Sequence, residues 1–324
     1  MIVKILTCLL ATVLLAIVSP ADAQQTAKVR TIGFLGQVGG PLSAYEVFRQ
    51  ALRGLGYVEG TNIVIEHRPE GGASGLAEKA AELVRLKVDV IVTTGGISTR
   101  AVQQATTTIP IVFTSSGDPV EGGFIDSLAR PGKNLTGITF LAYELVGKRL
   151  EILKEAAPNV SRVAVIATPT HPGEQRELSE TQTIARALRI TLDHHQVRSM
   201  VDYDTAFGAI PKEKADGLLV FPEGGTLTSA KRIVEFAAKH RLPSMFGWKE
   251  YVEAGGLIAY GPNRDESYKR IAVFVDRILK GRSPADLPAE LPVKFELVIN
   301  LKTAKQIGLT IPPNVLARAD RVIR

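Results

Sequence analysis

The sequence predicts an α/β protein of two similar Rossmann-like lobes, each a parallel sheet covered by helices on both faces, with a cleft between them. Three observations support this. Apolar strand-like runs alternate with helix-like stretches along the chain, the pattern of βαβ units. The strand candidates are continuous apolar runs such as "VDVIVTT" rather than apolar–polar alternations, which suits strands buried on both faces. The order of elements then starts again near residue 144, where a second lobe of the same type begins.

The first residues read as an export signal. Lys4 precedes an apolar run over 5–18 and then Ser19-Pro20-Ala21-Asp22-Ala23, a charged start, a short apolar core and an A-x-A site. Residues 1–23 are therefore expected to be a signal peptide cut after Ala23. The run is too short to span a bilayer comfortably. The single cysteine, Cys8, falls in the segment removed, so the mature chain is expected to have no disulfide, cysteine nucleophile or thiolate metal site. The cut leaves 324 − 23 = 301 residues and removes one Lys and one Asp, so the formal charge stays at +6. No like-charge block or basic, aromatic-interleaved stripe appears, which argues against nucleic-acid binding. A soluble, periplasmic product is expected.

In the first lobe the strand candidates are 29–35, 62–67, 89–93, 111–115 and 135–140, with helices near 43–55, 76–86, 98–107 and 119–129. "SRVAVIAT" then resembles "VRTIGFLG" in type, and each is followed by a helix carrying Ala-Leu-Arg, at Ala51-Leu52-Arg53 and Ala187-Leu188-Arg189. Further strands are expected at 191–197, 217–221, 243–247 and 257–260. The predicted organisation is a first lobe of 29–143 plus about 257–282, a second lobe of 144–256, and a C-terminal segment, 283–324, of open lobe assignment.

"TIGFLGQVGG" ends the first strand in glycines, but a dinucleotide fingerprint needs G-x-G-x-x-G, and Leu35 and Val38 stand where close-approach glycines are required. Glu66, ending the second strand, keeps a cofactor reading open; the phosphate loop ending in Gly-Lys-Ser/Thr is absent. Local chemistry explains the stretch better. Ser43 and Glu46 form a capping box, so a helix starts there with free N–H groups able to attract an anion. Comparable loops follow other strands: "TTGGIST", "TSSGDPVEGG", "TPTHPGE", "FPEGGTLT" and "FGWKEY". All sit at the carboxyl ends of predicted strands, where open α/β sheets bind ligands, although Gly and Ser are also ordinary turn residues.

Catalysis finds little support. His194 and His195 are adjacent on a strand and point to opposite faces. His67 and His240 end elements, and His171 has no neighbour at metal-ligand spacing. Asp118 and Glu223 could form an acid pair across the cleft, yet a binding protein could equally use them to hold an ammonium group. No G-x-S-x-G elbow occurs. Tyr45, Phe246, Trp248, Tyr251 and Tyr260 lie near loop positions, where each could stack on a flat ligand or pack the lobes.

The phrases "FRQALRGLGYVEGTNIVIEHR", "AAELVRLKVDVIVTTGG", "TIPIVFTSSGDPV", "SLARPGKNLTGIT", "GKRLEILKEAAPNVSRVAVI", "YVEAGGLIAYGP" and "FELVINLKTAKQIGLTIPPNVLARADRVI" resemble the ABC-transporter substrate-binding proteins of tryptophan/tyrosine uptake systems. The resemblance covers 29–323. It implies a type I periplasmic-binding-protein fold with a hinge, a small-molecule ligand enclosed between the lobes, no chemistry on it, no cofactor or metal, and a membrane ABC permease as partner of a monomer. Carried over by position, it implies a site of Gln37, Gly39, Gly40, Thr94, Gly95, Gly96, Ser115, Ser116 and Asp118 from the first lobe. Joining them would be His171, Pro172, Glu223, Gly224, Phe246 and Trp248; the aromatic residues Tyr45 and Tyr260 are further candidates from their loop positions. Where relatives often carry Asn-Pro-x-x-Pro, this chain has Thr168-Pro169-Thr170-His171-Pro172; in place of a Tyr-Gly-Phe-Arg-like turn it has Met245-Phe246-Gly247-Trp248-Lys249. Both departures fall in the expected site. The ligand expected is thus a small aromatic and/or carboxylate-bearing solute. The alternatives are a ligand-sensing module for a membrane receptor and an enzyme on the same scaffold using Asp118, Glu223 or His171.

Overall fold

The computed structural model describes residues 29–36, 44–69, 75–169 and 173–324. The expected signal peptide lies outside these residues, as do Gln37, Gly39, Gly40, Ser43, His171 and Pro172.

The first lobe runs β1 (Arg30–Gly36), α1 (Ala44–Gly54), β2 (Ile63–Pro69), α2 (Leu76–Arg85), β3 (Val90–Thr94), α3 (Gly96–Ala105), β4 (Ile111–Ser115) and β5 (Leu135–Thr139). The strands form one parallel sheet in the order β2-β1-β3-β4-β5. Every residue of β3, β4 and β5 is buried, as expected of parallel strands covered on both faces. The helix expected over 119–129 does not form. Asp118 Oδ1 instead accepts the Val120 N–H at 2.8 Å, and Gly123 takes φ +66°, so the segment is a series of turns.

The second lobe continues with α4 (Ala142–Ala156), β6 (Arg162–Ala167), α5 (Glu174–Ala187), β7 (Thr191–Gln196), α6 (Met200–Ala209), β8 (Gly217–Val220), α7 (Gly224–Thr228), α8 (Ala230–Lys239), β9 (Ser244–Phe246), α9 (Lys249–Glu253) and β10 (Ile258–Pro262). Then come α10 (Arg264–Leu279), β11 (Phe295–Asn300), α11 (Leu301–Ile307), α12 (Pro313–Leu316) and β12 (Arg321–Ile323). The second sheet is β12-β11-β10-β9-β8-β6-β7, parallel except between β10 and β11.

The stretch expected to return to the first lobe, about 257–282, is divided. Strand β10 pairs with β9 and β11 and belongs to the second sheet. Only α10 crosses back, capped by Asn263, whose side chain accepts the Glu266 N–H at 3.1 Å. Its buried residues Tyr268, Ile271, Ala272 and Val275 recur at helical spacing. It packs on α1, and Tyr57 of the first lobe donates to Asp276 at 3.0 Å. The C-terminal segment is divided too. The Thr136 hydroxyl donates to the Leu287 carbonyl (2.7 Å), holding that stretch on the first lobe, whereas Leu297, Ile299, Ala304 and Val315 complete the core of the second. The chain therefore passes between lobes three times, near 140–141, at 263 and over 291–294.

Two of those passages meet at one buried cation. Arg149, on α4, is 1% exposed. Its Nε donates to the Tyr260 carbonyl (2.9 Å), its Nη1 to the Ala142 carbonyl (3.4 Å), and Nη1 lies 3.6 Å from Glu177, also fully buried. Burial pulls the Arg149 pKa down to about 10 against the pull of Glu177, so it stays charged at neutral pH. Beside it β10 and the chain after β9 touch backbone to backbone. A Cβ at Gly261 would lie 1.9 Å from the Gly247 carbonyl oxygen, so only glycine fits there.

Candidate functional site

The carboxyl ends of both sheets face each other. From the first lobe, β3 delivers Thr94 and Gly95. Gly95 has φ +112° and ψ 157°, and a Cβ there would sit 3.2 Å from the Glu223 Oε1 of the opposite lobe. Glycine meets both demands. The Gly95 carbonyl accepts from the Thr99 (2.7 Å) and Ser98 (3.1 Å) hydroxyls, which fix the turn into α3. Strand β4 delivers Ser115 and Ser116. The Phe140 and Ala142 N–H groups donate to the Ser115 and Ser116 carbonyls (2.8 Å each), tying this loop to the first interlobe passage.

From the second lobe, Glu223 precedes the short α7. Its N–H donates to Thr226 Oγ1 (3.2 Å), which also accepts from the Tyr251 hydroxyl (2.8 Å). The Ser116 hydroxyl donates to Glu223 Oε2 at 2.9 Å, between side chains that are both nearly inaccessible. This bond joins the lobes through the middle of the cleft.

Around it the cavity is lined by Thr94, Gly95, Ser115, Ser116, Glu223, Gly224 and Trp248, with Thr114, Phe140, Arg264 and Tyr268. Seven residues expected from the sequence are thus brought to one cavity. Thr114, Phe140, Arg264 and Tyr268 were missed. The available signal was Asn263 before Asp265-Glu266, a helix start that places Arg264 and Tyr268 one turn apart at an interlobe passage. The aromatic groups form one wall: Phe140 meets Trp248 edge-on at 6.4 Å, and the Arg264 guanidinium lies 4.3 Å over the indole. Burial works against the Arg264 charge, but Tyr268 and Glu250 outweigh it and raise its pKa above the ordinary arginine value. The open space is only about 10 Å³, roughly one water. A larger guest must part the lobes and replace the Ser116–Glu223 bond.

Other expected residues lie elsewhere. Gly96 begins α3 behind the cavity. Phe246 is a core residue, fully buried and stacked on Tyr251 at 4.7 Å; the strand ends with it, and the chain bends at Gly247 before Trp248 reaches the cleft. Tyr260 is a strand residue packed against the second-lobe core. Neither lines this cavity. Tyr45 stacks on His67 at 4.2 Å and meets Phe34 edge-on at 5.3 Å, outside the cavity lining. Asp118 sits at the rim instead, 3.6 Å from Arg176 of the second lobe, so it does not join Glu223 in one cavity. His194 faces Glu174 (3.0 Å) while His195 faces Glu213 (2.9 Å). Among the described residues no group of three or more His, Cys, Asp or Glu side chains could hold a metal ion.

Arg176 also binds Glu121 (2.6 Å) and covers the Tyr143 ring (3.8 Å). Rim bridges of this kind are solvent-screened and contribute little. Arg176→Ala is accordingly expected to raise the dissociation constant of a cleft ligand no more than a few-fold, by calorimetry at low and physiological salt. A 30-fold loss would assign closure to the rim.

Comparison with known proteins shows the same fold and the family. A tyrosine-binding protein of Clostridioides difficile is 25% identical over 285 residues, covering 87% of this chain and 82% of that protein. A conserved domain protein from Vibrio cholerae has 29% identity and a TM-score of 0.83, over 91% of this chain and 100% of that one. An ABC domain from Streptococcus pneumonia, solved in complex with L-Trp, has 23% identity and a TM-score of 0.82, over 91% and 99%. The family model for ABC transporter substrate binding proteins matches residues 38–323, and the chain belongs to that family.

Proposed function

We propose that this protein captures an aromatic amino acid, or a closely related carboxylate-bearing aromatic solute, in the cleft between its lobes and delivers it to an ABC permease. It acts outside the cytoplasm and leaves the ligand chemically unchanged. The observation that carries this reading is the buried Ser116–Glu223 contact through the middle of the cleft, walled by Phe140, Trp248 and Tyr268. A buried carboxylate suits a ligand ammonium group. The hydroxyls and turns of Thr94–Gly95 and Ser115–Ser116 suit a carboxylate, and the aromatic wall suits a flat side chain. The similarity to a tyrosine-binding protein and to a structure holding L-Trp points the same way.

Closure is driven by the ligand if it binds the closed arrangement better than the open one. In place of the direct Ser116–Glu223 bond, the ligand bridges both lobes, and the closed shape is the form a permease recognises. Among the described residues no helix is long and apolar enough to cross a membrane, which accords with a partner that supplies the membrane passage. Delivery without chemistry is supported by the separation of Asp118 from Glu223, since a paired-carboxylate enzyme would need both in one cavity.

The test is a thermal-shift series with L-tyrosine, L-tryptophan, L-phenylalanine and benzoate at millimolar concentration. A ligand at 100 times its Kd stabilises the native state by about 2.7 kcal/mol, which raises Tm by several degrees for a chain of this size. No shift with any of the four would overturn the reading. Recovery of an altered product after incubation would overturn the claim of unchanged delivery.

A further inference from the structure

Among the described residues, two buried N–H groups in the cleft have no acceptor. Trp248 and Arg264 both line the cavity and are 4% and 7% exposed. Trp248 Nε1 and Arg264 Nε meet no hydrogen-bond partner among the described residues. The rest of the guanidinium is engaged: Nη1 donates to Glu250 (2.8 Å) and Nη2 to the Tyr268 hydroxyl (2.9 Å). Because the guanidinium stacks on the indole at 4.3 Å, the two idle donors belong to one rigid unit. Native proteins leave few buried donors unsatisfied, and those that remain call for an explanation.

Charge narrows what could satisfy them. Glu250 already neutralises Arg264, and Glu223 faces the same cavity, so a second anion beside the donors would be buried without a free cation. A neutral oxygen with two lone pairs can accept from both N–H groups and adds no charge. We infer that Trp248 and Arg264 form a specificity subsite for a neutral acceptor oxygen on the ligand's aromatic side chain, an inference that rests on the amino-acid reading above. With the ammonium group at Glu223 and the carboxylate at the first-lobe turns, the aromatic wall receives the side chain, and the donor pair is part of that wall. A phenol oxygen fits. An unsubstituted ring leaves both donors bare, and an indole offers only a donor of its own.

The experiment is calorimetric titration of the full mature chain with L-tyrosine, L-phenylalanine and L-tryptophan. L-tyrosine and L-phenylalanine differ by the one oxygen at issue. Wild type is expected to bind L-tyrosine at least about 10-fold more tightly than the other two, because a site built to hydrogen-bond a hydroxyl rejects the analogue lacking it. Trp248→Phe keeps an aromatic ring and removes one donor. Arg264→Lys keeps the charge opposite Glu250 and removes Nε. Each is expected to narrow the L-tyrosine to L-phenylalanine ratio to below about threefold by weakening L-tyrosine alone. The ratio within one variant is the readout, so a general loss of stability does not move it, and either variant suffices if the other fails to fold. Equal binding of L-tyrosine and L-phenylalanine to wild type, or proportional weakening of both in the variants, overturns the subsite and leaves the amino-acid reading standing. If wild type binds none of the three, the amino-acid reading fails first and takes the subsite with it.

Discussion

Glu223→Gln is expected to raise the dissociation constant for L-tyrosine about 30-fold or more. The carboxylate is 1% exposed and already accepts the Ser116 hydroxyl from the opposite lobe. Glutamine keeps the shape and an oxygen acceptor for Ser116, so the closed arrangement survives. What is lost is the negative charge that we propose faces the ligand's ammonium group. Removing one partner of a buried, hydrogen-bonded charge pair costs roughly 2–5 kcal/mol, and each 1.4 kcal/mol is tenfold in affinity. The control is 3-(4-hydroxyphenyl)propionate, which has the same ring, hydroxyl and carboxylate but no ammonium group. Its affinity is expected to change less than about threefold, or to improve. Calorimetry with both ligands decides the matter: if the substitution weakens the two equally, Glu223 is not the ammonium partner.

The second large effect concerns stability. Arg149→Met is expected to lower Tm by roughly 10 °C. Arg149 and Glu177 are both fully buried, 3.6 Å apart. Breaking a buried pair by removing one member costs about 3–5 kcal/mol, because the other charge stays in the interior. For a chain of this size each kcal/mol shifts Tm by roughly 2–4 °C or somewhat less. Methionine also leaves the Tyr260 and Ala142 carbonyls without their donor. Adding Glu177→Gln removes the stranded charge but cannot restore those two bonds, so the double variant is expected to recover only about half the loss. Scanning calorimetry of the three proteins checks both statements. A loss under 3 °C in Arg149→Met would show that the pair contributes nothing net.

Much of the fold was readable because buried parallel strands leave a direct mark. "VDVIVTT" and "TIPIVFTSS" carry the unbroken apolar runs Val90–Val92 and Ile111–Phe113, and β3 and β4 lie within a residue of the expected limits. The 119–129 segment misled because Pro119 is a good first-turn residue, whereas Asp118 and the two following glycines stabilise turns instead. Strand β10 was assigned to the wrong lobe because a strand's apolar pattern says nothing of which sheet it joins. That is decided by its partners, β9 in parallel and, from residues 295–300 far along the chain, β11 in antiparallel pairing.

At the site, the loop residues Thr94, Gly95, Ser115, Ser116, Glu223 and Gly224 were legible, since strand ends carry ligands in open sheets. The aromatic residues were not. Trp248 and Phe246 read alike, yet one lines the cavity and the other lies beneath it. Arg264 and Tyr268 escaped notice because a charged, capped helix start reads as solvated surface. Only the passage at residue 263 turns that helix start into the cleft.

The interlaced path of the last third of the chain has a consequence for how the protein is made. Phe48 and Leu52 of α1 belong to the same core as Ile271, Phe274 and Val275 of α10, so the part of helix 44–54 that meets α10 stays uncovered until residues beyond 270 have been synthesised. A nascent chain emerging N-terminus first can pair its opening strands early, but it must carry a bare apolar flank through most of translation. The first lobe thus completes its core only once α10 has been made, and residues 29–143 alone would leave that flank bare.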